Sequence, residues 1–144
     1  MKAKFLLVAL AGLFVSQSMQ ALRVSITNKF KFVWVDVLAK EDLDKAGTVQ
    51  ALNVNGSQTF EYPDNYNIDS IFVMDKDSSQ GWGLNEGDLK GYGIPTTGKH
   101  TIQITIEDGY NRFGVAVDNG PKRFIQGQSS DILSQGTLRR ITGS

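Results

Sequence analysis

The 144-residue chain contains no cysteine, and this absence excludes several kinds of chemistry at once. Without cysteine there is no disulfide, no thiolate metal site, no thiol nucleophile and no lipid attached to an N-terminal cysteine. Small secreted animal domains usually depend on disulfides, so a cysteine-free exported domain is more typical of a bacterial envelope or secreted protein. Such a domain must be stabilised by its own hydrophobic core.

The chain has a single histidine, His100, which leaves little for catalysis. One histidine cannot build a histidine-based zinc cluster, and its register predicts a structural imidazole on the inward face of a strand. No phosphate-cradling glycine motif and no G-x-S-x-G motif occurs. Carboxylates could still hydrolyse a glycosidic bond, with Glu61, Glu86 and Glu107 as candidates, but no local motif selects a pair.

No apolar run is long enough to span a bilayer, which takes roughly 20 residues. The longest run, residues 5–15, follows Lys2 and Lys4 and precedes a polar stretch that ends at Ala21. This order is typical of a cleaved secretory signal peptide over residues 1–21. We therefore expect a soluble mature domain of residues 22–144, without a stable membrane span, that is secreted or periplasmic.

Neither sign of charge dominates, because residues 22–144 carry 13 basic and 15 acidic residues, a net charge of −2. This balance argues against a nucleic-acid partner. The charges are segregated, however, since residues 36–88 hold 11 acidic and only 3 basic residues. An acidic region of this kind favours cations electrostatically.

The sequence that follows the signal peptide alternates between apolar and polar residues. Clear examples are residues 22–27, 101–106 and 113–118, and further strands are expected within residues 30–38, 48–54, 57–62, 70–75, 122–126 and 136–142. Turn residues separate them, among them Asn55-Gly56, which is expected to form a hairpin turn. The pattern predicts an all-β, single-domain antiparallel β-sandwich of eight or nine short strands, with a small β-barrel as the alternative. Residues 40–46 are expected to be a short helix or a loop.

Two of these strands, within residues 30–38 and 71–74, are apolar on both faces and are expected to be central. A loop or the short helix would cover the second face. Alternatively, that face docks a partner or a lipid, which would describe a secreted effector or a membrane-active protein.

The segment of residues 75–99, called here the 75–99 segment, is the leading candidate for a binding loop. It has no hydrophobic period and contains six glycines, together with Trp82 and Tyr92. Loops this long are usually functional or disordered. A neighbouring loop adds Tyr62 and Tyr66, and the four aromatic rings could stack against a sugar or a peptide. We expect a non-enzymatic module that binds a glycan, or an envelope or host protein.

The same segment contains a possible calcium loop. Asp75, Asp77, Ser79 and Glu86 occupy positions 1, 3, 5 and 12 of the ligand order that calcium loops use. The match is partial because Gln80 stands at the sixth position, where the turn normally requires glycine. Calcium is therefore a possible ligand rather than a predicted cofactor.

Overall fold

A computed structural model describes residues 21–44, 48–76, 80–109 and 111–129. In these residues the chain forms ten strands, a 3-10 helix over Lys40–Asp42 and one short α-helix. The strands are β1 Leu22–Asn28, β2 Val33–Ala39, β3 Gln50–Leu52, β4 Ser57–Tyr62, β5 Ile68–Met74, β6 Gly81–Asn85, β7 Thr101–Ile106, β8 Arg112–Val117, β9 Arg123–Gln126 and β10 Gln128–Ser129, and the helix α1 is Glu86–Gly91. The prediction of an all-β fold is confirmed.

The first sheet has the strand order β4-β1-β7-β8-β9. Strands β1 and β7 run parallel, with Val24 opposite Ile102, whereas the other pairs in this sheet are antiparallel. The prediction of a purely antiparallel fold is therefore wrong. Alternation of apolar residues reports which face of a strand is buried but not its direction, and the parallel pair is possible because a long crossover connects its two strands.

The second sheet has the strand order β10-β6-β5-β2-β3, and all its pairs are antiparallel. Because the strands lie in two separate sheets, the alternative prediction of a small closed barrel is wrong. The chain passes from β9 of the first sheet directly to β10 of the second through Gly127.

One hydrophobic core joins the two sheets. The first sheet contributes side chains such as Val24 and Ile104, and the second contributes Val35 and Val73. Strand β1 alternates strictly between buried and half-buried residues, as predicted from its sequence. Burial of one face in each sheet is the main driving force for this arrangement.

Strands β2 and β5 are central in the second sheet and are buried on both faces, which confirms their predicted position. Opposite the core face, Leu38, Phe72 and Met74 are at most 7% exposed. The carboxylate-bearing Asp36 is fully buried on that side as well. Because β2 lies between β5 and β3, this carboxylate is not at a sheet edge.

One local prediction needs correction. Asn55-Gly56 does not close a hairpin, because β3 and β4 belong to different sheets, although Asn55 does adopt a positive φ of 66°. Of residues 40–46, expected to be a short helix or a loop, Lys40–Asp42 form a 3-10 helix, and residues 45 and 46 lie outside the described residues. No helix in the described residues has the length and apolar character needed to cross a bilayer.

Several predictions fall outside the described residues. These are the signal peptide, apart from Ala21, the strand expected within residues 136–142, and two of the four calcium ligands, Asp77 and Ser79.

Candidate functional site

The 75–99 segment is not a long loop, and this is the largest correction to the sequence-based site. It contains strand β6, which pairs with β5, and helix α1. In β6, Trp82 and Leu84 alternate with Gly81 and Gly83, so a period of two is present but glycine replaces the apolar residues of one face. Sequence alternation counted by hydrophobicity therefore missed the strand.

Helix α1 begins with a capping box that the sequence contained. The Asn85 side chain accepts from the Asp88 backbone N–H at 2.8 Å, and the Asp88 carboxylate accepts from the Asn85 backbone N–H at 3.0 Å. These bonds satisfy two backbone donors at the helix start. Leu89 of the helix is fully buried in the core, and Ile94 packs there just after the helix.

Trp82 and Tyr92 are consequently part of the packed fold rather than of an open loop. Trp82 is half-buried against the core. Tyr92 is 36% exposed, and its backbone carbonyl accepts from the Arg123 guanidinium. Its hydroxyl lies 3.4 Å from the Gln126 carbonyl oxygen, which makes at most a weak hydrogen bond.

The other two aromatic residues of the predicted site, Tyr62 and Tyr66, form a stacked pair. Their ring centroids are 6.2 Å apart and the ring planes differ by 27°. Pro63 directly follows β4, and the Tyr66 N–H donates to the Pro63 carbonyl at 3.0 Å, closing a turn that folds Tyr66 back beside Tyr62. Proline ends the strand because it cannot donate to the ladder.

This pair borders a cavity of about 330 Å³, called here the tyrosine groove. The groove is lined by Val37, Leu38, Ala39, Asp42, Thr48, Glu61, Tyr62, Pro63 and Tyr66. Its volume lies at the lower end of the range of about 300–1,000 Å³ that is usual for small-molecule sites.

Hydrogen bonds hold the two tyrosines in place. The Tyr62 hydroxyl donates to the Val37 carbonyl at 2.7 Å, which fixes the first ring against β2. The Thr97 hydroxyl donates to the Tyr66 carbonyl at 2.7 Å. The Asn67 N–H donates to the Glu41 carboxylate at 2.9 Å, which connects the backbone directly after Tyr66 to the 3-10 helix. The Tyr62 ring and the backbone around Tyr66 are therefore both held in place by hydrogen bonds.

The lining of the groove includes two acidic residues. Asp42 and Glu61 carry carboxylates, and no lysine or arginine is among the lining residues that the structure describes. Beside it, the hydrogen bond from the Asn67 backbone lowers the pKa of Glu41, so this carboxylate stays ionised to lower pH. Two cations near the groove form ion pairs. Lys40 lies 2.7 Å from Glu86, which is not among the groove residues, and Arg23 lies 2.9 Å from Glu61, which is one of them.

The four predicted aromatic residues do not form one surface. Val73 of β5 pairs with Trp82 on one side and with Val35 of β2 on the other, so a whole strand separates Trp82 from β2. The Tyr62 hydroxyl bonds to β2, whereas the Tyr92 hydroxyl faces β9. The structure thus brings Tyr62 and Tyr66 together and leaves Trp82 and Tyr92 elsewhere.

Two of the predicted calcium ligands are also far apart. Asp75 follows Met74, which pairs with Gly81 at one end of the β5-β6 ladder, while Glu86 follows β6 at the other end. Five strand residues of about 3.3 Å each separate these ends, so both carboxylates cannot ligate one ion at about 2.4 Å. Among the described residues, no group of three His, Cys, Asp or Glu is placed to hold a metal ion.

The candidate catalytic groups are engaged in hydrogen bonds or ion pairs. His100 precedes β7 instead of facing the core, and its Nδ1 lies 2.6 Å from an oxygen of Asp118. The hydrogen bond with His100 lowers the pKa of Asp118. Glu107 pairs with Lys122, and Glu61 with Arg23.

Sequence reasoning found the two tyrosines but missed Asp42 and Thr48, which also line the groove. Asp42 lies within the predicted short helix and Thr48 follows it, and only the packing of β2 and β3 of the second sheet near β4 of the first brings them close to Tyr62. Comparisons of the sequence with protein-family models and with curated proteins find no match to this chain.

Proposed function

We propose that the protein is a non-enzymatic, secreted or periplasmic binding module of the β-sandwich class, and that it binds a saccharide in the tyrosine groove. The observation that carries this proposal is the stacked pair of Tyr62 and Tyr66 on the rim of a 330 Å³ cavity. Aromatic rings offer apolar faces to the C–H groups of a sugar ring, while carboxylates accept from its hydroxyls.

The groove contains both kinds of group within one set of lining residues. The rings of Tyr62 and Tyr66 supply the flat surface, and Asp42, Glu61 and Thr48 supply oxygen atoms that can accept hydrogen bonds. The hydrogen bonds that anchor both tyrosines reduce the entropy lost when a ligand binds. The volume suits a short stretch of sugar rather than a long chain.

The two alternative functions lack a specific observation in their favour. A lipid-docking protein would use the second face of β2 and β5, but Phe72 and Met74 on that face are buried. A hydrolase needs a general acid with a raised pKa. The hydrogen bond from Lys40 instead lowers the pKa of Glu86. Glu61, the candidate nearest the groove, is paired with Arg23.

Binding of soluble oligosaccharides to the mature protein tests the proposal, first by a glycan array and then by titration calorimetry. Tyr66→Ala should weaken binding of any array hit about tenfold or more, because it removes a stacking face without removing a core side chain. Tyr92→Ala is the matched control, since Tyr92 is exposed but lies outside the groove. The proposal fails if no oligosaccharide binds at millimolar concentration, or if Tyr66→Ala leaves the affinity unchanged.

A further inference from the structure

We infer that strand β4 pairs with β4 of a second copy of this chain, antiparallel and with Thr59 at the twofold axis. The pairing joins the first sheets of the two copies into one continuous sheet. The inference is independent of the sugar site and rests on the backbone groups along one edge of the sandwich. Such groups can form hydrogen bonds with any strand that lies against them.

The described residues form four edge strands, and β4 is the longest of them. It has six residues, whereas β3 has three, β9 has four and β10 has two. The residue after α1, Tyr92, lies beside β9, where its carbonyl accepts from Arg123 and its hydroxyl faces the Gln126 carbonyl. In the part of the chain that the structure describes, β1 is the only strand that pairs with β4.

Two hydrogen bonds show which backbone groups of β4 point away from the sheet. The Arg23 N–H donates to the His100 carbonyl at 2.9 Å, on the β7 side, whereas the Asn28 N–H donates to the Gly56 carbonyl at 2.9 Å, on the β4 side. Because successive residues of a strand point their backbone groups to opposite sides, the even-numbered residues of β1 bond to the even-numbered residues of β4. The odd-numbered residues of β4, which point outward, are Ser57, Thr59 and Glu61.

These three outward-facing residues leave the edge open. Each has one backbone N–H and one C=O, and none of these groups has a hydrogen-bond partner among the described residues. Edge strands are normally protected by lysine, proline or a β-bulge. Strand β4 contains no lysine and no proline, and its register with β1 is continuous. The Ser57 and Thr59 hydroxyls bond to β1 at 2.8 and 3.0 Å, so these side chains lie on the sheet face rather than over the edge.

One antiparallel register pairs every outward backbone group of two β4 strands. In this register Thr59 lies opposite Thr59 of the second copy, and Ser57 lies opposite Glu61 of the second copy. A shift by two residues in either direction leaves some of the groups unpaired. A shift that places Glu61 opposite Glu61 also brings like charges together, which destabilises a strand pair, whereas threonine opposite threonine is favourable. The edge is therefore complementary to itself.

Self-association of the mature chain tests the inference. One strand pair buries less than the roughly 1,200–2,000 Å² of a stable interface, so the dimer should be weak and should depend on concentration. Sedimentation equilibrium between about 10 µM and about 1 mM should show the average mass rising nearly twofold. Thr59→Lys should abolish the rise, because two ammonium groups would face each other at the axis. Gln103→Lys is the matched control, since Gln103 is exposed and also lies opposite Ser25, but on the central strand β7.

Single cysteines report the register, because the chain has none of its own. In the proposed pair, the Cα atoms of residue 59 in the two copies are about 5.5 Å apart, which a disulfide can bridge. Those of residue 57 are about 14 Å apart, since four residues along the strand separate them. Oxidation should therefore link Thr59→Cys into a covalent dimer several-fold faster than Ser57→Cys.

Three outcomes would overturn the inference. The first is a chain that stays monomeric up to about 1 mM, because the edge of β4 would then have another occupant or none. The second is a dimer that Thr59→Lys and Gln103→Lys weaken equally. The third is equal linking of the two cysteine variants, which decides the question even if Thr59→Lys fails to fold.

Discussion

The tyrosine groove and the 75–99 segment contain similar aromatic residues but use them in opposite ways. In the segment, Trp82 packs on the core and helix α1 buries Leu89, so the chain closes on itself. In the groove, Pro63 ends a strand and the following turn stacks Tyr66 on Tyr62 beside open volume. The comparison shows that glycine and aromatic content does not define a binding surface. Aromatic rings can bind a ligand only where the pairing of the strands leaves the ring faces exposed.

Leu89→Ala is expected to give the largest effect, because it tests whether the 75–99 segment belongs to the core. Leu89 is fully buried, and truncating a buried leucine costs about 2–5 kcal/mol through lost burial and the cavity that remains. Urea unfolding followed by tryptophan fluorescence would measure the change in free energy. Val54→Ala, at a residue that is 49% exposed, should change stability little. A cost below about 1 kcal/mol for Leu89→Ala would mean that α1 is a loosely attached element.

Tyr62→Phe comes next and tests whether the groove is held as rigidly as the hydrogen bonds indicate. The variant removes a donor that lies 2.7 Å from the Val37 carbonyl oxygen, and a lost hydrogen bond of this kind costs about 1 kcal/mol. The stability should fall by that amount, and ligand affinity should fall as the ring loses its fixed position. Tyr92→Phe removes only a 3.4 Å contact and should have almost no effect on unfolding. Equal losses in the two variants would contradict the distinction drawn between the two regions.

Asn85→Ala tests the capping box that begins α1. Replacing an N-cap asparagine by alanine typically costs about 1 kcal/mol, because the Asp88 backbone N–H loses its acceptor. Circular dichroism melts would detect the loss, and Asn85→Ser should recover most of it. Failure of serine to restore stability would show that Asn85 acts through another contact.

The sequence predicted the strands that have one apolar and one polar face, but it did not predict strand β6 or helix α1. Strands β1 and β7 were evident because isoleucine and valine alternate with threonine, serine and glutamine. Strand β6 was missed because Gly81 and Gly83 stand where an apolar side chain would mark a face. Helix α1 spans only Glu86–Gly91, and its signal was Asn85 followed by Asp88 rather than a periodic face.

In the candidate site, the residues brought together by a local turn were predicted from the sequence, whereas those brought together by strand packing were not. Tyr62 and Tyr66 are four residues apart around a proline, so a local turn suffices to bring them together. Asp42 and Thr48 reach the same groove only through the packing of strands from two sheets. Contacts between residues far apart in the chain depend on topology, and the parallel pairing of β1 with β7 shows that alternation alone does not determine topology.

The smallest expected effect concerns the ion pair between Lys40 and Glu86, which links the 3-10 helix of the groove to α1. The hydrogen bond from Lys40 lowers the pKa of Glu86 below its ordinary value of 4.5, so this contribution to stability is complete above that pH and is lost as pH falls through the lowered pKa. The pKa of Lys40 is raised above 10.5 by the same bond, so the contribution is also lost when pH rises beyond the raised pKa.

Glu86→Gln should therefore be slightly less stable than the wild type near neutral pH, and the difference should vanish in strong acid, where Glu86 is protonated in both states. Urea unfolding at a series of pH values between 2 and 8 would measure it. Lys90→Gln is the control, because Lys90 lies 3.6 Å from Glu86 and its removal leaves the shorter pair with Lys40 in place. A difference between Glu86→Gln and the wild type that persists unchanged at the lowest pH would show that the glutamine acts through packing rather than through the lost charge, and the two regions would then be joined by contact rather than by electrostatics.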